Sequence, residues 1–486
     1  MAFREELLTW IIASLTRHEM ALNRARGQRK KVTVALDNAT GFLDGTPGLE
    51  RSTMRLVTWR LGLLLFVVYI LNYLDRTNIG IAKDHLQASL GLSEAAYGLG
   101  AGLFFIGYVL FEVPSNLILY RVGARLWITR IMVTWGLAAM GMAFVQNEMA
   151  FYILRFLLGA AEAGLVPGVI LYLTQWIPSA RRARLIALFY LAVPLASAFG
   201  SPLSGWLMGF NPFGVEGWRF MFFLEGIPCL FVAVLVLAFL TDTPTRAKWL
   251  DERQRRWLTA ALAKEKSEED TTHQSGTLRQ AFINPRVLGM AVVFFSMIIP
   301  IYALAFFLPA IIKQMGTFSI LQVGFITAVP YIFASVGMFL ISRRSDRTGE
   351  RVLHYVVPSA LGAGGLVMAA LTLGSAPVVA MVGFCVGAIG CLSTLPVFWS
   401  ITPRLLTGVA AAGGIALVCA IGNVAGFVAP YMVGLIRGEN ATAASSSQAI
   451  LVSAGFLLVA AVGMLLVGKS LGKRHAHKSE SNANAY

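Results

Sequence analysis

The chain has 486 residues, of which 57% are apolar and only 13% charged, and its mean hydropathy is +0.68. Soluble domains run near a quarter charged, and a chain this apolar cannot cover a folded surface with polar groups, so a large soluble enzyme is excluded. The net charge of +15 would suit a nucleic-acid partner, but the placement of the charges argues against one.

Residues 1–54 form an N-terminal extension, expected in the cytoplasm. They lack the apolar run and small-residue cleavage site of a signal peptide. "FREELLTWIIASLTRH" has the pattern of an amphipathic helix on the membrane surface, and "RARGQRKK" (24–31) is a basic cluster. A disordered tail, or a true start at Met54, fits this segment equally well.

From there, uncharged runs of about 20 residues alternate with short basic clusters. As helix each run is about 30 Å long, one bilayer core. Twelve such spans are expected, at about 61–82, 97–120, 126–146, 149–174, 184–209, 219–240, 287–312, 320–341, 353–373, 376–400, 408–436 and 447–468. Arg and Lys collect before span 1, in 121–130, at Arg181, Arg182 and Arg184, through 246–286, at Arg343, Arg344, Arg347 and Arg351, and after Lys469. The alternate loops hold little beyond Lys83, Arg219, Lys313 and Arg437. That alternation is the positive-inside pattern and predicts both termini in the cytoplasm. The basicity is therefore topology, with a share for anionic lipid.

Span 1 contains "FVVYILNYLDRTNIGIA" (66–82), with Asp75 and Arg76 side by side. A lone charge at the bilayer centre costs about 2.5–3.5 kcal/mol on insertion scales, so each such group needs a partner or a wet cavity. Consecutive residues point about 100° apart on a helix, so these two cannot satisfy each other face to face. Span 2 carries Tyr108, on a face with Phe104 and Phe111, and Glu112. Span 4 carries Arg155 and Glu162, nearly two turns apart on one face with Gly159 between them. Span 6 carries Glu225. Glu112 in "FEVPSN" and Glu225 in "LEGIP" lie beside Pro near helix ends and suggest structural hydrogen bonding. "GLGAG" (98–102) has the look of a dinucleotide loop, but inside a span small residues serve helix packing.

Residues 241–285 are a cytoplasmic linker with a surface helix marked by Trp249, Trp257 and Leu258. They divide the spans into two halves, 55–240 and 286–470, followed by a cytoplasmic tail at 471–486. The halves share a mark. "YRVGAR" (120–125) follows span 2 and "DRTGER" (346–351) follows span 8, with Arg, Gly and Arg at matching offsets. Repeated six-span halves are a transporter architecture with the substrate site at their interface. The fold class expected is an all-α membrane protein of twelve helices in two pseudo-symmetric halves.

Two guanidiniums facing a cavity would make a site for a carboxylate, because Arg offers fixed, bidentate donors. Two carboxylates beside them could carry protons: burial favours the neutral acid, a neighbouring Arg the ion. The alternative is an Arg–Glu network that only clamps helices together. Tyr302 and Trp399 are cavity candidates, with packing as their alternative.

The chain resembles the major facilitator superfamily, with "SRRSDRTGER" similar to its signature loop, although Ser342 stands where Gly is usual and Tyr120 replaces the usual Asp of the first copy. Over about 55–470, "ILNYLDRTNIGIA", "FFIGYVLFEVPSNLIL", "RFLLGAAEAGLVPGVILYLTQWIP", "YALAFFLPAIIK" and "GFVAPYMVG" resemble its anion:cation symporter family, in the tartrate, phthalate and hydroxyphenylacetate permease branch. The resemblance implies that Asp75 and Glu162 handle protons and that Arg76 and Arg155 hold the substrate's carboxylate beside Tyr108. Asp346, Arg347 and Arg351 are read as a cytoplasmic gate, with a solvated loop as the alternative. Two departures, Val193 where sugar-acid members carry Gln and Cys419 where branch relatives carry Asn, lean toward an aromatic or short monocarboxylate.

The function expected is proton-driven import of a small organic anion across the inner membrane by a monomer. The proton gradient is the energy source; no cofactor, metal or nucleic acid is called for. An exporter or exchanger of the same fold, a non-transporting sensor and a membrane enzyme are the alternatives. No phosphate loop, H-E-x-x-H or G-x-S-x-G stands in the chain to support ATP-driven transport or hydrolysis. Cys229, Cys385, Cys391 and Cys419 fall within spans without ligand spacing.

Overall fold

The structure is a computed structural model describing residues 47–272, 284–405, 409–439 and 441–483; the expectations for 1–46 lie outside the described residues. Those residues fold into helices without strands. In chain order they are α1 Pro47–Val57, α2 Leu63–Leu90, α3 Glu94–Val122, α4 Ala124–Gly141, α5 Glu148–Glu162, α6 Leu165–Thr174, α7 Ser179–Leu207, α8 Gly217–Phe239, α9 Glu252–Thr272, α10 Pro285–Gln314, α11 Ile320–Thr348, α12 Val352–Thr372, α13 Pro377–Leu405, α14 Val409–Arg437 and α15 Ala443–Ala483. Twelve spans of sufficient length and apolarity are present among the described residues, as the charge-free runs predict.

Two spans differ from their sequence outline. The first is one continuous helical rod from Gly48 to Leu90, in which a π turn, Thr58–Gly62, joins α1 to α2. The fourth is broken: α5 stops at Glu162 and α6 restarts at Leu165, with Gly164 at φ 86° between them. The break follows from "AGLVPG", where Gly takes a left-handed conformation and Pro167 fits the first turn of the new helix. It leaves Glu162 at a helix end.

The shared mark falls at the end of the second span of each half. Gly123 ends α3 at φ 97° and Gly349 ends α11 at φ 71°, so each half closes its second span on a positive-φ glycine. Outward faces such as that of α11 present Phe325, Ile332, Phe333, Val336 and Phe339, an apolar surface suited to lipid. By contrast α10 is surrounded almost along its whole length. The linker docks rather than dangles. Trp249 precedes α9 and stacks on Trp176 at 5.4 Å, while Trp257 and Leu258 of α9 are buried.

The halves meet at the end of the bundle opposite the termini. There α2 packs on α10, α3 on α14 and α7 on α11. "GLGAG" works as helix packing: a Cβ on Gly98 would stand 2.4 Å from the Pro430 carbonyl oxygen of α14. Four residues read from sequence as loop charges close this end. Lys83 is buried and pairs with Glu94, and Arg437, also buried, pairs with the other Glu94 oxygen at 2.9 Å. Lys313 pairs with Asp84 at 3.0 Å, and Arg219 with Glu216 at 2.7 Å. The Glu94–Arg437 and Asp84–Lys313 pairs cross between the halves. Glu94→Gln is expected to open this end, because removing one member of a buried ion pair costs about 3–5 kcal/mol. A cysteine placed at position 87, half-buried beside Lys83, should then gain reactivity toward an impermeant thiol reagent; unchanged labelling would contradict the role of this latch.

Candidate functional site

The polar cluster lies where α2, α3, α5, α8 and α10 converge. On α2, Tyr69, Asn72, Tyr73 and Arg76 share one face at helical spacing, and Asp75 and Asn78 the next. Arg76 is 7% exposed. Its Nε donates to Glu162 Oε1 at 2.6 Å and its Nη2 lies 2.5 Å from the same oxygen. Asn72 also donates to that oxygen. Arg76 Nη1 reaches across the half-interface to the Tyr302 hydroxyl of α10 at 3.4 Å. The guanidinium lies over Phe104 at 5.2 Å and Tyr108 at 5.0 Å, a cation–π arrangement. Glu162 is fully buried, and its second oxygen has no donor among the described residues.

Asp75 turns the other way, as its neighbour position requires. Its Oδ2 accepts from Trp135 Nε1 of α4 at 2.7 Å and its Oδ1 from Asn78 Nδ2 at 3.2 Å. Asn78 Nδ2 also donates to Glu225 Oε2 of α8 at 2.9 Å, and Ser204 of α7 donates to Glu225 Oε1 at 2.7 Å. The hydrogen bonding expected of Glu225 is present, but it ties Glu225 to the Asp75 side of the cluster.

Arg155 is 1% exposed and has no carboxylate within ion-pair distance among the described residues. Its Nε and Nη2 reach the Gly100 and Ala101 carbonyl oxygens of α3 at 3.4 and 3.3 Å, and Nη1 has no partner. Its guanidinium lies 5.0 Å from the centroid of Phe104, the ring that Arg76 also faces. The Arg155–Glu162 pairing offered by their common face does not form; Arg76 takes Glu162 instead. Gly159 between them admits a helix, since a Cβ there would stand 1.8 Å from the Phe104 carbonyl oxygen.

Tyr108 stacks on Phe104 at 6.2 Å, but Phe111 faces outward, 45% exposed, and packs on Phe156. Tyr302 packs on Phe105 at 4.5 Å and Phe306 at 5.8 Å. Tyr69, stacked on Phe189 at 4.0 Å, and Tyr190 extend this aromatic lining and were missed, although the 69–73–76 spacing carries the signal. Trp399 is half-buried; its described ring contacts are with Phe294 and Phe398, none with Arg76, Tyr108 or Tyr302.

The structural hydrogen bonding expected of Glu112 is present. Its Oε2 accepts from Asn423 Nδ2 of α14 at 3.0 Å, a bridge between the halves. Asn423 lies one turn beyond Cys419, so an amide does face this region from span 11, which weakens the lean toward an apolar substrate. At the termini end, Asp346 pairs with Arg351 at 2.9 Å within the second half, and Arg347 is exposed.

Twelve spans in two six-helix halves around a buried cluster of opposite charges have the architecture of a membrane transporter. The chain belongs to the Major Facilitator Superfamily, whose model matches residues 65–430. It is 45% identical over 430 residues, 88% of this chain and 94% of the relative, to a protein of Agrobacterium vitis named "Putative tartrate transporter". It is 44% identical to "Putative metabolite transport protein NicT" of Pseudomonas putida, covering 83% of this chain and 91% of that one. A "Quinolone resistance transporter" of Acinetobacter baumannii is 41% identical, covering 80% and 89%. Among solved structures, an inward-facing bacterial homologue of the lysosomal transporter Spinster matches with a TM-score of 0.69 at 17% identity, covering 88% of this chain and 99% of that one. The inward-open xylose transporter XylE of E. coli matches with a TM-score of 0.68 at 15% identity, covering 84% and 95%.

Proposed function

We propose that the protein is a proton-coupled importer of a small organic anion, working as a monomer in the bacterial inner membrane with both termini cytoplasmic. The observation that carries this reading is the unequal state of the two arginines. Arg76 is held by Glu162, while the hydrogen-bond partners of Arg155 among the described residues are backbone carbonyls alone. A substrate carboxylate that engages both guanidiniums competes with Glu162 for Arg76. Glu162, displaced and sealed from water, then favours the neutral acid and takes a proton. Substrate and proton binding become linked, because each removes the obstacle to the other.

In this reading Tyr108 and Tyr302 flank the bound anion, and Trp399 lines the cavity on the second half. Asp75 serves as the other proton-handling carboxylate. The end closed by Glu94–Arg437 is periplasmic, and Asp346, Arg347 and Arg351 set the cytoplasmic gate on the open side. The relatives named for tartrate and metabolite transport support a carboxylate cargo. Proteoliposomes screened with tartrate, phthalate, hydroxyphenylacetate, nicotinate and sugar acids test the function. Accumulation of one of them under an inward proton gradient is expected; uptake only against trans substrate would make the protein an exchanger. An exporter is the second reading, favoured by the quinolone-resistance relative.

A further inference from the structure

Glu225 has no part in the cycle just proposed, yet its surroundings suit more than structure. It is 5% exposed and has no Lys, Arg or His within 4 Å among the described residues. The same holds for Asp75, 4% exposed. One amide group, Asn78 Nδ2, donates to both carboxyls, at 3.2 Å to Asp75 and 2.9 Å to Glu225. Trp135 at 2.7 Å and Ser204 at 2.7 Å supply the remaining donors, so all four carboxyl oxygens are met by neutral groups. Asn78, Trp135 and Ser204 are themselves buried, so no bulk water screens the pair.

The charges that face this pair can be counted element by element. Helix α2 brings Asp75 and Arg76, α5 brings Arg155 and Glu162, and α8 brings Glu225 with the neutral thiol Cys229 one turn on. Helices α4 and α7 offer only Trp135 and Ser204. Two cations therefore stand among three carboxyls. Arg76 and Glu162 neutralise each other, which leaves Arg155 against both Asp75 and Glu225. Two ionised acids bridged by one amide repel strongly at low dielectric, and a buried charge without a counter-charge is strongly disfavoured. The charge balance closes when one proton resides on the pair.

We infer that Asp75 and Glu225 form a proton-binding pair that shares one proton across Asn78 in the empty carrier, with Glu225 as a proton-handling residue. This rests on the proton-coupled reading of the transporter. The pair titrates as a unit, and the negative neighbour strengthens its hold on the shared proton. No bond other than O–H forms or breaks, and the proton comes from and returns to water.

Infrared pH-difference spectra of the purified full-length protein in nanodiscs test this. The wild type should show a protonated-carboxyl C=O band near neutral pH that survives in Glu162→Gln. In Glu225→Gln the band should titrate at least about one pH unit further to acid. Ser204→Ala should move it toward alkali, since the hydroxyl supports the ionised form. Opposite shifts would not follow from a packing role. An unmoved band in both variants, or no such band in the wild type, would overturn the inference. Uptake separates it from the underlying reading. A wild type that accumulates no anion under a proton gradient defeats proton coupling, while the infrared titration still decides on the pair.

Discussion

Arg155→Ala is expected to abolish saturable uptake while the protein still inserts and folds. The guanidinium has no carboxylate to abandon, and the carbonyls it touches belong to helix α3. Its removal therefore breaks no direct ion pair among the described residues. What is lost is a charge-assisted contact to the incoming anion, about 1.5–3 kcal/mol per hydrogen bond, or about tenfold to a hundredfold in affinity. Arg155→Lys keeps the charge but not the planar fork, and should fall between the two. Uptake by the alanine variant in proteoliposomes, with folding checked by size-exclusion elution, is the measurement. Normal saturable uptake would remove Arg155 from the site.

Glu162→Gln is expected to split transport into its parts. The amide keeps the size of the carboxyl and can still bond with Asn72, but it no longer holds Arg76 by charge and cannot carry a proton. Arg76 is then free for the substrate at every pH. Exchange of internal for external anion should persist, and accumulation driven by a pH gradient should disappear. Accumulation against a gradient in this variant would show that the coupling proton binds elsewhere.

Both predictions turn on residues that hydropathy alone exposes as out of place. Asp75, Arg76, Arg155 and Glu162 announce themselves because lipid-spanning runs tolerate so few charges. The twelve runs, the two halves and the Arg–Gly–Arg repeat are legible for a similar reason: span length and loop charge are one-dimensional signals. Pairing is not. Arg155 and Glu162 share a face in sequence, yet the close approach of α3 at Gly159 turns Arg155 toward α3, and Arg76 of α2 reaches Glu162 first. Lys83 and Arg437 read as loop charges because their partner Glu94 lies on another helix; Lys83 meets it across the α2–α3 turn, and the docking of the halves adds Arg437. The break after Glu162 was written in "AGLVPG", but the apolar run continues across it and masks it. Asn423 is not legible as a site group because its partner, Glu112, lies on the other half. Trp399 has Phe294 and Phe398 as its described ring neighbours, contacts that its place in a span does not reveal.

The same contrast bears on how the carrier switches. At the closed end the buried Glu94–Arg437 pair crosses between halves, whereas the Asp346–Arg351 pair at the other end stays within one half. Alternating access requires each state to be sealed at one end, and a buried pair that crosses between halves is suited to make such a seal.

The central claim is that a substrate carboxylate displaces Glu162 from Arg76 and that Glu162 then takes a proton. The most direct measurement is the pH change on adding a transported anion to purified protein in weakly buffered solution. The account predicts net proton uptake, close to one proton per anion bound, lost in Glu162→Gln although that variant still binds. Saturable binding by the wild type with no proton uptake would contradict it.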